Sequence, residues 1–262
     1  MASASMAYGE RRFRASYGVR IFIVLGAVAF IVLLWAGRQN PDPATDRILM
    51  YISLVLLVVA AASWIALSKS ALIINDSGVR RESLFGQKEM TWSEIAETRY
   101  RVVPINMYAH LGLIGVLLAA SSKSGGAQLA LELISHERKR LKVTSNFRNG
   151  EEAIGLILAR IIPPMVQNVK ARLQRGETVQ FGGLGLSATS VMWKDTSIPI
   201  SEITKAEIVR SNLQIKRNGK WMSAVSVRSD KVPDVLVFLE CLESLAPQVK
   251  SAGMNPLARV RM

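Results

Sequence analysis

The chain has 262 residues, 33 Lys and Arg against 20 Asp and Glu, a formal charge of +13 and a hydrophobic fraction of 50%. That length allows two small domains and excludes three independent cores plus a large membrane part. A single cysteine excludes an intramolecular disulfide and a cysteine-built zinc site, and Cys241 reads as a small buried residue on a helix.

Residues 1–20 form a basic N-terminal segment in which Arg11, Arg12, Arg14 and Arg20 precede an apolar run. That run, "IFIVLGAVAFIVLLWAG" at 21–37, and a second, "ILMYISLVLLVVAAASWIALS" at 48–68, carry no charge. A helix needs about 20 apolar residues to cross roughly 30 Å of hydrocarbon, so both are expected to span, with Trp35 and Trp64 near the headgroups. The first is longer than a signal-peptide core, and no small-x-small cleavage site follows it. Between them "RQNPDPATDR" is a short neutral turn in which Pro41 and Pro43 stop any helix. Lys69, Arg80, Arg81 and Lys88 follow the second run. Positive flanks are retained inside, so the transmembrane hairpin is expected to have both ends in the cytoplasm and its turn outside.

Strand patterns come next. "ALII" and "VRRES" flank "NDSG", a turn in which Gly78 can take positive φ, and "FGQK" turns into "EMTW". "SEIAETRYRVV" is expected to point Ile95 and Tyr100 inward; "AQLALELI" alternates Leu129, Leu131 and Leu133, "SHERKR" turns, and "LKVTSNF" returns. Asn149 and Glu152 have capping-box spacing ahead of a helix burying Ile154, Ile157, Leu158, Ile161 and Ile162, kinked at Pro163 and Pro164 and stopped by Gly176. The order then repeats in shorter form. "TWSEI" at 91–95 is echoed by "IPISEI" at 198–203, "RNGK" is a hairpin turn, and a last helix from about Asp230 buries Val235, Leu236, Leu239, Leu242 and Leu245. Two tandem modules are therefore expected, at 69–176 and 177–250, with a tail at 251–262.

Two apolar helices, then strand-turn-strand ending in "SEI", more strands and a closing helix: this pattern resembles the bacterial pleckstrin-homology-like (PH-like) membrane proteins. "DSGV" with "TWSEI" carries the likeness in the first copy; in the second, "ATSV" with "IPISEI" has Ser190 where Gly78 stood. The resemblance implies a membrane-anchored α+β protein in which each PH-like module is a bent β-barrel or roll capped by a C-terminal helix. It implies a binding platform without catalytic residues, at the bacterial inner (cytoplasmic) membrane, and no specific lipid.

The first module carries an uncharged insert, "VVPINMYAHLGLIGVLLAASS" at 102–122. A third span is disfavoured by Pro104, Asn106 and His110, and because strands on either side of it cannot pair across a bilayer. The insert is expected to touch the membrane, or else to pack between the copies, through Leu111, Leu113, Ile114, Leu117 and Leu118. Residues 69–176 hold 16 basic and 9 acidic residues. Arg80, Arg81, Lys88, Arg138, Lys139 and Arg140 are candidate contacts for an anionic leaflet, the alternative being a solvated face.

Nothing points to chemistry. His110 and His136 have no metal spacing, and "FGGLG" at 181–185 follows a helix and precedes a strand, the reverse of a phosphate loop, so it reads as a linker. No cofactor or metal motif is present, and a membrane anchor without nucleic-acid motifs argues against that partner. The expected function is a non-enzymatic cytoplasmic platform scaffolding membrane or envelope proteins; the alternative is a lipid-sensing or lipid-handling subunit.

Overall fold

The computed structural model describes residues 9–15, 17–36, 42–104, 127–145, 147–209, 211–219 and 222–249. The chain divides into unit one, Met1–Glu89 with Asn146–Arg148, and unit two, Met90–Ser145 with Asn149–Met262. It is an α+β protein, and among the described residues the strands form four antiparallel sheets.

In unit one, β1 (Arg11–Arg14) precedes α1 (Tyr17–Ala36) and α2 (Pro43–Ser68), and β2 (Ala71–Ile74), β3 (Gly78–Ser83) and β4 (Gly86–Thr91) follow, in the sheet order β1-β2-β3-β4. The basic N-terminal segment thus supplies a strand, which the sequence reading missed. β1 pairs with β2 from Arg11↔Ile74 to Arg14↔Ala71, so the helix pair is an insertion between neighbouring strands. Only Phe13 of β1 faces the core; the three arginines stay exposed, which hides the strand from any apolar alternation. α1 and α2 lie antiparallel: Trp35 Nε1 donates to Ser53 Oγ at 3.3 Å, and Arg20 Nη2 donates to the carbonyl oxygens of Leu67 and Ala15, each at 3.3 Å. α2 is long and apolar enough to cross a membrane, while the apolar part of α1, Ile23–Ala36, is shorter. The β2–β3 turn is closed by Asn75, whose side-chain oxygen accepts from the N–H groups of Ser77 and Gly78. Gly78 does not take positive φ; the Asx turn does the work assigned to it.

Unit two holds two three-stranded sheets, β5 (Ile95–Pro104), β6 (Ala127–Ser135), β7 (Arg140–Thr144), and β12 (Ile203–Val209), β13 (Asn212–Arg217), β14 (Ser223–Arg228). A four-stranded sheet joins them, ordered β11 (Thr196–Pro199), β10 (Ser190–Trp193), β9 (Leu184–Leu186), β8 (Val179–Phe181). α3 (Gly150–Gln174) follows β7, and α4 (Val235–Leu245) follows β14. Among the described residues, and setting aside the inserted α1 and α2, the order four strands, three strands and a helix therefore occurs twice. Gly150 opens α3 so close to the end of β7 that an added Cβ would meet the Ser145 backbone at 2.7 Å. The expected capping box does not form: Asn149 is left-handed, at φ 57°, and its side chain caps nothing, reaching instead to Glu152 at 3.3 Å. α3 buries the five apolar residues expected of it and runs through Pro163 and Pro164, which lie on its exposed side. α4 starts later than expected, at Val235, after a 3-10 turn at Ser229–Lys231, and it is buried nearly all round, with Val237, Phe238 and Cys241 inside as well. "FGGLG" is no linker: Gly182 and Gly183 turn β8 into β9, with Gly182 at φ 66°.

The echo phrase has a structural meaning. Trp92–Glu94 and Ile200–Glu202 are both single 3-10 turns that lead into the first strand of a three-stranded sheet. Glu94 O accepts the N–H of His136 at 3.1 Å, and Glu202 O accepts that of Asn218 at 2.8 Å. Ile95 pairs with Ser135 and Ile203 with Arg217, and in both sheets the register slips immediately afterwards. The same bulged corner is built twice.

Candidate functional site

The corner of the first repeat forms one wall of a cleft of about 620 Å³ within unit two. Trp92, Ser93, Ile95 and Ala96 come from that corner and His136 from the β6–β7 turn; α3 contributes Arg160, Pro164, Met165, Asn168 and Arg172, β8 contributes Val179 and Gln180, and Asp234 closes one side. Residues four apart share a helix face, which is why Arg160, Pro164, Asn168 and Arg172 line one wall. The volume suits a small ligand or a few residues of a peptide.

The walls offer both donors and acceptors. Arg160, Asn168 and Gln180 are exposed donors beside the apolar surface of Trp92, Pro164 and Met165. The amide oxygens of Asn168 and Gln180 can accept on the same walls. At the rim, Arg172 Nε and Arg175 Nε donate to the two oxygens of Glu177, at 2.9 and 2.8 Å, and hold its carboxyl below the usual range.

Asp234 ties the two repeats together. Its Oδ1 accepts from Thr98 N at 2.7 Å and Thr98 Oγ1 at 2.9 Å, and its own N–H donates to Thr98 O at 2.8 Å. Burial pushes its carboxyl up to about 6 against the pull of the Thr98 bonds, and the neighbouring Glu97 charge adds to the rise. Nearby, Ser211 Oγ donates to Val102 O, and Arg101 lies 3.9 Å from Asp230.

The residues singled out from sequence are scattered. Leu111, Leu113, Ile114, Leu117 and Leu118 lie outside the described residues. Arg80, Arg81 and Lys88 belong to unit one; Arg80 pairs with Glu89 at 3.2 Å, and as strand neighbours Arg80 and Arg81 point to opposite faces of β3. Arg138 and Lys139 belong to the β6–β7 turn and Arg140 opens β7; Lys139 pairs with Glu137 at 2.8 Å and Arg140 with Glu132 at 3.8 Å. The insert leaves the sheet at Pro104 and re-enters at Ala127, at the end of β6 opposite that basic turn. Nine residues of strand, about 30 Å, separate the roots of the insert from the turn. The roots of the insert and the basic turn therefore lie at opposite ends of the sheet.

Sequence reading missed the cleft because its walls come from α3, β8 and Asp234, which are remote from Trp92 in the chain. Trp92, the aromatic in the echo phrase, was the available signal. Among the described residues no three His, Cys, Asp or Glu side chains gather as metal ligands. Cys241 is buried, and burial pushes its thiol up to about 11. The thiolate is the nucleophile, so Cys241 in the folded protein is expected to resist a maleimide at about pH 8 and to react fully in denaturant. Labelling followed by mass spectrometry checks this.

Residues 1–251 match a protein family described as "Family of unknown function (DUF6585)". No curated protein matches the chain.

Proposed function

The chain belongs to the DUF6585 family, whose function is unknown, and we propose from its geometry that it is a membrane-anchored, non-enzymatic platform that binds a peptide segment of a protein partner. One observation carries the binding role. The unit-two cleft sets the amide side chains of Asn168 and Gln180, which both donate and accept, and the Arg160 guanidinium beside the apolar surface of Trp92, Pro164 and Met165, and a polypeptide needs both kinds of hydrogen-bonding group met.

The anchor is supported by topology. Because Arg14 pairs with Ala71, the entry to α1 and the exit from α2 lie side by side. If α2 crosses a membrane, α1 must cross it in the other direction to return the chain to its sheet. Its 20 residues rise about 30 Å, enough for that crossing. Both helices expose large apolar side chains, Leu25, Val32 and Leu33 on α1 and Leu54, Val55 and Val58 on α2 among them, which is costly in water and natural in lipid. The repeated order of four strands, three strands and a helix supports the PH-like resemblance, and the basic flanks support a cytoplasmic location for the modules.

The test uses the full chain in its native membrane, since a fragment starting at Lys69 would lose β1 and uncover β2, where Ala71 to Ile74 are all buried. A photo-reactive side chain at Asn168 is expected to form discrete protein adducts that Trp92→Ala removes. Lipid adducts alone would favour the lipid-handling alternative, and adducts indifferent to Trp92→Ala would count against the cleft.

A further inference from the structure

The β3–β4 turn has an unusual composition for its place. Turn tips favour Gly, Asn, Asp, Ser and Pro, yet this one presents Leu84, 42% exposed, and Phe85, 94% exposed. Gly86, at φ 125°, and the bond from Ser83 Oγ to Gly86 O at 2.9 Å close it tightly, so the two apolar side chains are held outward.

Its position in the sheet gives the exposure a reason. Ala71, the first residue of β2, pairs with Arg14 on one side and Glu82 on the other. From that row the chain needs three residues to reach Ser68, the last of α2, and two or three to reach Leu84 and Phe85. At about 3.3 Å per residue, the turn tip and the ends of the helix pair lie at nearly the same level, on the same end of the sheet. The β2–β3 turn, with Ser77, lies at the other end. Arg14 and Lys69, both exposed, sit at the helix-bearing end, where their charges suit anionic headgroups.

We infer that the Leu84–Phe85 turn enters the headgroup region of the same bilayer that the α1–α2 hairpin crosses, as a third attachment that fixes the orientation of the unit-one sheet on the membrane. The inference rests on the membrane-anchor reading above. A surface is its natural occupant, because the tip is a protrusion and the adjoining segment is the membrane-crossing one.

The test uses the full chain in liposomes of phosphatidylcholine and phosphatidylglycerol, with an environment-sensitive fluorophore on single added cysteines; buried Cys241 stays unlabelled. Phe85→Cys probes the turn, Ser77→Cys the far end of the sheet, and Leu57→Cys the middle of α2. All three positions are exposed, so the fold tolerates the change. The fluorophore at position 85 is expected to be quenched several-fold more by lipids with a shallow nitroxide than the one at 77, and the one at 57 to be quenched by a deep nitroxide. Deep quenching at 57 with equal, weak quenching at 85 and 77 overturns the turn contact and leaves the hairpin standing. Absence of quenching at 57 overturns the hairpin and the turn contact together.

Discussion

At about pH 4, where the native carboxyl is protonated, Asp234→Ala is expected to destabilise unit two by about 3 kcal/mol, whereas Asp234→Asn stays within about 1 kcal/mol of the native chain. Thr98 is only 2% exposed, so its N–H and hydroxyl lose their shared acceptor with no water to replace it. Each unmet buried group costs about 1–3 kcal/mol. Asp234 also sits at φ 50°, a left-handed conformation that costs alanine about 1 kcal/mol more and that asparagine tolerates. The pH dependence has a definite sign. A carboxyl raised to about 6 binds more protons folded than unfolded between roughly pH 4 and 6. Its contribution to stability is complete below that window and is lost as pH rises through it. The native chain should therefore lose stability relative to Asp234→Asn across that window and run parallel to it above. Urea unfolding in detergent, followed by tryptophan fluorescence at several pH values, reads both effects.

Phe238→Ala is expected to cost about 3–5 kcal/mol, the range for removing a fully enclosed aromatic side chain. Phe238 is 0% exposed and meets Phe181 edge-on, with ring centroids 5.4 Å apart and planes at 74°. That contact joins α4 to β8, and Phe181 and Val237 also line the cleft. Phe238→Leu should recover more than half of the loss by refilling volume. Thermal unfolding of the two variants side by side checks the order.

What could be read in the chain was local. The alternation of Leu129, Leu131 and Leu133 and the helical spacing of Ile154 to Ile162 each concern near neighbours, and both bury the residues their patterns put inside. The echo phrase was legible as a repeat, though its content, a bulged corner bonded to a hairpin turn, needs contacts from Glu94 to His136 in one copy and from Glu202 to Asn218 in the other. β1 escaped notice because "RRFR" has one apolar residue and its partner lies beyond two helices. Gly78 was credited with a turn that the Asn75 side chain makes, since several side chains can close a turn and sequence ranks them poorly. The Thr98–Asp234 bond spans 136 positions and left no trace in composition. The cleft depends on it, and on how α3 packs, and so stayed hidden.

The most direct measurement of the anchor is accessibility of single cysteines in intact cells expressing the full chain. Asn40→Cys lies between the two apolar segments, and Ser77→Cys lies at the β2–β3 turn. With Cys241 silent, a membrane-impermeant maleimide added outside is expected to label Asn40→Cys at once and Ser77→Cys only after lysis. Labelling of both positions from the same side would contradict the crossing hairpin, and with it the tethered platform.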